Sequence, residues 1–224
     1  MFKRWLLAST TAAVLAILPI AAQAQTNGGD IVVTYKDDIT TLDPAIGYDW
    51  VNWSMIKSLF SRLMDYEPGT ANLVPSLAES FTVSPDGLTY TFHLREGVKF
   101  HDGTPFNAQA VEFNVRRVWD PKFKYFYKRG AAIPPYRYFN LKDVKATDDN
   151  TVVFTLSARN AFFIEQLAEG ASPGLPTMAS PAAIEKYGND DFGNHPAGTG
   201  PFMVKDQVKG QYVTLVRNPD YWNK

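Results

Sequence analysis

The chain has 224 residues, 45% of them hydrophobic and 20% charged, with a formal net charge of −1. This is ordinary globular composition with room for one or two domains, and it lacks the basic surface that nucleic-acid binding requires. With no cysteine, neither a disulfide framework nor a cysteine-borne lipid anchor is available.

The first residues read as an export signal. Lys3 and Arg4 form a positive start, WLLASTTAAVLAILPI an apolar stretch, and Ala22-Gln23-Ala24 a small-x-small cleavage site, which makes Gln25 the first mature residue. The competing reading is an uncleaved membrane anchor. It fits less well, because the run is short and carries Ser9, Thr10, Thr11 and Pro19. A soluble periplasmic protein is expected.

Residues 31 to 35, IVVTY, read as a short apolar strand, and TLDPAIGYDW as a loop with turn residues Asp43-Pro44 and Gly47. Asp49 is placed to cap a helix. Val51, Met55, Leu59 and Leu63 recur every four residues, with Ile56 and Phe60 beside them, while Lys57 and Arg62 lie off the stripe. Pro85-Asp86-Gly87 predicts a hairpin turn. Leu88, Tyr90, Phe92 and Leu94 then alternate with polar residues, as in a strand with one buried face.

Asn107 should cap a second helix that carries Val111, Val115, Val118 and Trp119 on one side. Residues 120 to 140 hold four Tyr, three Phe, three Pro and five Lys or Arg without a clean period, which predicts a long aromatic loop. Val152, Phe154 and Leu156 mark a second hairpin, turning at Asp148-Asp149-Asn150. AFFIEQLAEG and PAAIEKYG read as helices, the latter with Pro181 in its first turn. GTGPFMVKDQVKGQYVTLVRN gives two strands around Lys209-Gly210. After them, Asn218-Pro219-Asp220 leads to Tyr221-Trp222, an aromatic pair that wants a covering surface.

No catalytic constellation emerges. His93, His101 and His195 show no metal-ligand spacing, so no metal site or cofactor is expected. Gly170-Ala171-Ser172-Pro173-Gly174 matches the G-x-S-x-G pattern of hydrolases. The residue after that serine must donate its N–H to an oxyanion, and Pro173 has none. Gly198-Thr199-Gly200 lacks the Lys-Ser/Thr of a phosphate loop and reads as a tight turn. Glu165 and Glu169 read as a solvated helix face. What stands out is aromatic: Tyr48 and Trp50, flanking Asp49, just after a strand, and Tyr125, Tyr127, Tyr136 and Tyr138 in the long loop. Such rings either cover a core or line a ligand site.

Several stretches, in order and at matching intervals, resemble one family. They are ITTLDPA, LVPSLAESFTVSPDGLTYTFHLREGVKFHDGTPFNAQAVEFNVRR, DDNTVVFTL, PAGTGPF and VRNPDYW. The chain is similar to the extracytoplasmic solute-binding proteins of peptide-type ABC transporters, the dipeptide- and oligopeptide-binding family. The resemblance implies an α/β (mixed α+β) fold of the type II periplasmic binding protein kind, with two lobes around a cleft and a small extra domain. It also implies that this chain is the N-terminal part of a longer protein. The implied division is a signal peptide at 1–24, a first segment of lobe I at 25–55, an extra α+β domain with two hairpins at 56–185, and a return to lobe I at 186–224. In the same way it implies a monomer that binds a peptide or other small solute, docks on an inner-membrane ABC permease and catalyses nothing. Ligand contacts are implied for the loop after LDP, hence Tyr48, Asp49 and Trp50. A tyrosine of the aromatic loop is implied as well, with Tyr125, Tyr127 and Tyr138 as candidates. Tyr221 and Trp222 are expected to pack on segments beyond this chain.

Overall fold

The computed structural model describes residues 28–132, 138–168 and 177–223. The export signal, Tyr136, Glu169 and the Gly170–Gly174 motif lie outside the described residues. The chain divides into two units, Met1–Thr34 and Tyr35–Lys224. Of the first, residues 28–34 are described. They form no strand, and Ile31 is 90% exposed. The strand expected at 31–35 is therefore absent. Its apolar run is present, but a strand exists only as part of a ladder, and no described strand pairs with it.

The second unit opens with a loop and helix α1 (Trp50–Leu59), capped by Asp49 as the sequence predicts. The helix ends at Leu59, where Phe60 turns extended, so Leu63 is not part of its stripe. Its buried residues are Asn52, Ile56 and Leu59. Strands β1 (Met64–Tyr66) and β2 (Leu73–Pro75) form a small antiparallel pair. Strands β3 (Ala78–Val83) and β4 (Thr89–Leu94) make the first hairpin, with Gly87 at φ 69° in its turn, a conformation glycine adopts at little cost.

Helix α2 (Ala108–Trp119) starts at the Asn107 cap, and a short helix α3 (Lys128–Ala131) interrupts the aromatic loop. Strands β5 (Leu141–Ala146) and β6 (Thr151–Leu156) form the second hairpin. Helices α4 (Phe163–Ala168) and α5 (Pro181–Asp191) follow, then the hairpin β7 (Phe202–Val208) and β8 (Tyr212–Arg217). α1 runs unbroken past residue 55, so the division expected there cuts a helix.

The two larger hairpins merge into one antiparallel sheet of order β3-β4-β6-β5. Tyr90 pairs with Phe154 and Phe92 with Val152, so the alternating residues share one face. Val111 and Val115 of α2 and Phe163 of α4 belong to the same core, with the Phe163 ring 4.7 Å from Tyr90 and 5.5 Å from Phe154. A second core gathers Leu42, α1, α5 and one face of β7–β8 through Ile56, Leu59, Phe60, Ile184 and Phe192.

Two surface expectations change. Arg62 is buried, because its Nη1 bonds both Asp65 Oδ1 and the Ala168 carbonyl at 2.9 Å. Burial lowers its pKa and the Asp65 charge opposes that shift. Trp222, expected to need a surface from elsewhere, packs against the first core. Its Nε1 donates to Ser61 Oγ at 3.3 Å, and the Arg95 guanidinium lies 5.0 Å from its ring.

The Gly198–Gly200 turn reaches the helix end of α1. His101 reads it: Nδ1 accepts the Gly198 N–H at 3.2 Å, and Nε2–H donates to the Gly200 carbonyl at 3.1 Å. A Cβ on Gly198 would collide with the Leu59 carbonyl oxygen, which is backbone and has little room to yield. Gly198→Ala should therefore cost about 3 kcal/mol, read as a lower midpoint in urea unfolding; a midpoint equal to wild type contradicts the close approach.

The neutral His101 ring serves both bonds, and burial holds its pKa below the ordinary 6.5. The unfolded chain then takes up a proton near pH 6.5 while the folded one resists. Stability is full above pH 6.5 and falls as pH drops below it toward the folded value. The fall in melting temperature between pH 7 and pH 5 should be smaller in His101→Gln than in wild type.

Candidate ligand-binding site

The segment Leu42 to Trp50 is held by its own polar groups. The Asp43 carbonyl accepts from the Ile46 and Gly47 N–H groups at 3.2 and 2.9 Å, closing a tight turn. Gly47 lies against Ile56 and the Asp43 carbonyl, with no room for a side chain. Asp43 Oδ1 accepts from the Ala45 N–H at 2.9 Å. At the head of α1, Asp49 uses both carboxylate oxygens: Oδ1 caps the Asn52 N–H and Oδ2 accepts from Asn52 Nδ2, each at 2.8 Å. Asn52 reaches back to Thr40, accepting from its N–H at 3.1 Å and donating to its Oγ1 at 2.8 Å.

On this braced frame Tyr48 is 57% exposed and Trp50 82% exposed. Trp50 leans edge-on against Trp53, centroids 5.0 Å apart. Two large rings thus stay in water on a backbone that is fixed by hydrogen bonds.

Helix α2 meets this segment through a buried ion pair absent from the sequence-based site. Arg117 grips Asp43 with two parallel bonds, Nη1 to Oδ1 at 3.1 Å and Nη2 to Oδ2 at 2.6 Å, and both residues are 1% exposed. Two consecutive arginines at the end of an amphipathic helix were the only signal for it. Tyr127 is 6% exposed and forms a small core with Ala45 and Ile46. Burial first, then the Asp43 charge, push its phenol pKa up, so the hydroxyl stays protonated. Beside it is an open depression of about 590 Å³, with Lys128, Arg129 and Asp190 supplying charges of both signs to its lining.

The sequence candidates therefore separate. Tyr48, Asp49 and Trp50 lie together at the head of α1, and Tyr127 packs on Ala45 and Ile46 of the preceding turn. Tyr125 is half-buried in an aromatic cluster with Phe113 and Phe123, at 5.2 and 5.9 Å. Tyr138 packs on the core under the four-stranded sheet, away from that loop's core. His93 and His195 are exposed, and His195 stacks on Tyr187 at 3.8 Å. Among the described residues no cluster of three or more His, Asp and Glu is placed to hold a metal, and no helix is long and apolar enough to cross a membrane.

Residues 72–224 match the model of the bacterial extracellular solute-binding proteins, family 5 Middle. The chain belongs to this family. Among its relatives is the glutathione-binding protein GsiB of Shigella dysenteriae, 40% identical over 196 residues, which cover 86% of this chain and 35% of that protein. Two solved structures share the fold. DppA from Helicobacter pylori, in complex with peptide STSA, has a TM-score of 0.70 and 30% identity over 84% of this chain and 38% of its own. MoaA from A. tumefaciens R10, in complex with mannopinic acid, has a TM-score of 0.71 and 33% identity over 83% and 36%. The chain thus spans little more than a third of the length of these relatives.

The Asp49 cap can be checked by itself. Asp49→Ala should lower stability by about 1 kcal/mol in thermal unfolding, and Asp49→Ser, which keeps a cap acceptor, should recover most of it.

Proposed function

We propose that this chain is the N-terminal part of the substrate-binding component of an ABC importer. In the complete protein it captures a peptide or similar solute in the periplasm and passes it to the inner-membrane permease. The observation that carries the reading is the pair of exposed rings, Tyr48 and Trp50, on a loop whose backbone is fixed by Asp43, Asp49 and Arg117. Family membership and the ligands of the relatives, glutathione, a tetrapeptide and mannopinic acid, support the same class of solute.

In this reading Tyr48 and Trp50 form the wall contributed by this part of the chain. Asp49, with both oxygens engaged, and Tyr127, under cover, hold that wall in place. Tyr125 and Tyr138 remain secondary candidates for ligand contact. The protein works as a monomer, binds no nucleic acid or cofactor and performs no chemistry on its cargo. The signal ends at Ala24. Lobe I would comprise residues 25–55 and 186–224, and the extra domain 56–185. The two cores support such a split, with crossings nearer Phe60 and Met178.

The test uses the complete gene product purified from periplasm. A binding probe from a panel of glutathione, the peptide STSA and mannopinic acid should raise the melting temperature, by about 2.7 kcal/mol of stability at one hundred times Kd. Replacing Tyr48 and Trp50 together by Ala should weaken that binding at least about tenfold, since each buried aromatic anchor contributes more than about 1 kcal/mol. The melting temperature without probe should hardly change, because both rings are exposed. No stabilisation by any probe, or full affinity in the double variant, contradicts the reading.

A further inference from the structure

Arg117 is the largest fully buried side chain among the described residues, and a hydrophobic residue would fill its space at lower cost. Its contacts explain its presence. Besides the two bonds to Asp43, its Nε donates to Asn189 Oδ1 at 2.9 Å. Its backbone carbonyl accepts the Tyr127 N–H at 2.6 Å. Its guanidinium lies 5.2 Å from the Tyr127 ring and 5.4 Å from the Phe192 ring. Asn189 continues the chain of contacts, donating from Nδ2 to the Tyr125 carbonyl at 3.1 Å. Gly188, at φ 76°, breaks the course of α5 immediately before Asn189.

One cation therefore reaches, directly or through one residue, the 43–47 turn and the 125–127 segment. We infer that Arg117 is a positioning residue for solute capture: with Asp43 and Asn189 it fixes the loop bearing Tyr48 and Trp50 against the aromatic loop. This rests on the proposed role of those two rings. A planar fork sets orientation as well as distance, which a lysine ammonium at the same place cannot do. If the clamp loosens, only a fraction of molecules present the rings correctly, and apparent affinity falls by that fraction.

The test uses Asn189→Ala in the complete protein, with Arg117→Lys as a second variant. Asn189→Ala removes one arm of the clamp and leaves the Asp43–Arg117 pair intact, so folding is retained. Glutathione, STSA or mannopinic acid, whichever binds wild type, should bind Asn189→Ala about tenfold more weakly. Amide hydrogen exchange without probe should accelerate in residues 43–49 and 125–131, while the β3-β4-β6-β5 sheet keeps wild-type protection. Arg117→Lys should show both effects more strongly. Wild-type affinity in Asn189→Ala, unchanged exchange in the two loops, or acceleration spread evenly over the sheet each overturns the inference. If wild type binds none of the probes, the proposed role of Tyr48 and Trp50 fails and this inference with it; the exchange pattern then decides only whether the clamp itself exists.

Discussion

The contact between Asp43 and Arg117 constrains much of this structure. Two opposite charges, each 1% exposed, have left water, which costs several kcal/mol per ion before any compensation. Compensation comes from geometry: a two-pronged carboxylate grip, an amide acceptor on Nε, a backbone donor on the carboxylate, and aromatic faces beside the guanidinium. These contacts come from four stretches of chain: loop 43–47, α2, the aromatic loop and the end of α5. The pair is tolerable only when loop 43–47, α2, the aromatic loop and α5 are all in place, so its burial ties their assembly together.

Helix α2 carries that requirement between the two cores. Val111 and Val115 point into the core under the sheet, while Phe113 packs on the other. Asn114 bonds Ala179 twice, from Nδ2 to its carbonyl at 2.8 Å and from its N–H to Oδ1 at 3.0 Å. The two arginines divide the same way, because consecutive helical residues point about 100° apart. Arg116 bonds Glu112, Asp120, Asp143 and the Val144 carbonyl near the sheet, and Arg117 turns to Asp43. α2 is thus a wall common to both cores, with charged ties on two sides.

This arrangement shows what sequence alone makes legible. Tyr90, Phe92 and Leu94 could be read as a strand, and Asp49, Asn107 and Pro181 as helix starts, because period and capping are local properties. Arg62 and Arg117 could not be read as buried. A cation looks like surface until its acceptors are known, and those acceptors, Ala168 and Asp43, lie 106 and 74 positions away in the chain. The same distance hid the cover over Trp222, which comes from Ser61 and Arg95. At the candidate site, Tyr48 and Trp50 were legible as loop aromatics. Nothing local distinguished Tyr127, which is buried, from Tyr125, which is half-buried, since both follow one another in a segment without periodicity.

The division between exposed rings and buried polar groups also bears on how this surface can change. Tyr48 and Trp50 bury little, so replacing them alters what is presented without opening a cavity. Asp43, Asn52 and Arg117 each satisfy several partners, and loss of one leaves others unpaired in a low-dielectric interior. Shape at the rings and placement of the rings are therefore set by separate residues. Two exposed side chains can therefore change while the fork of Arg117 keeps the backbone that bears them where it stood.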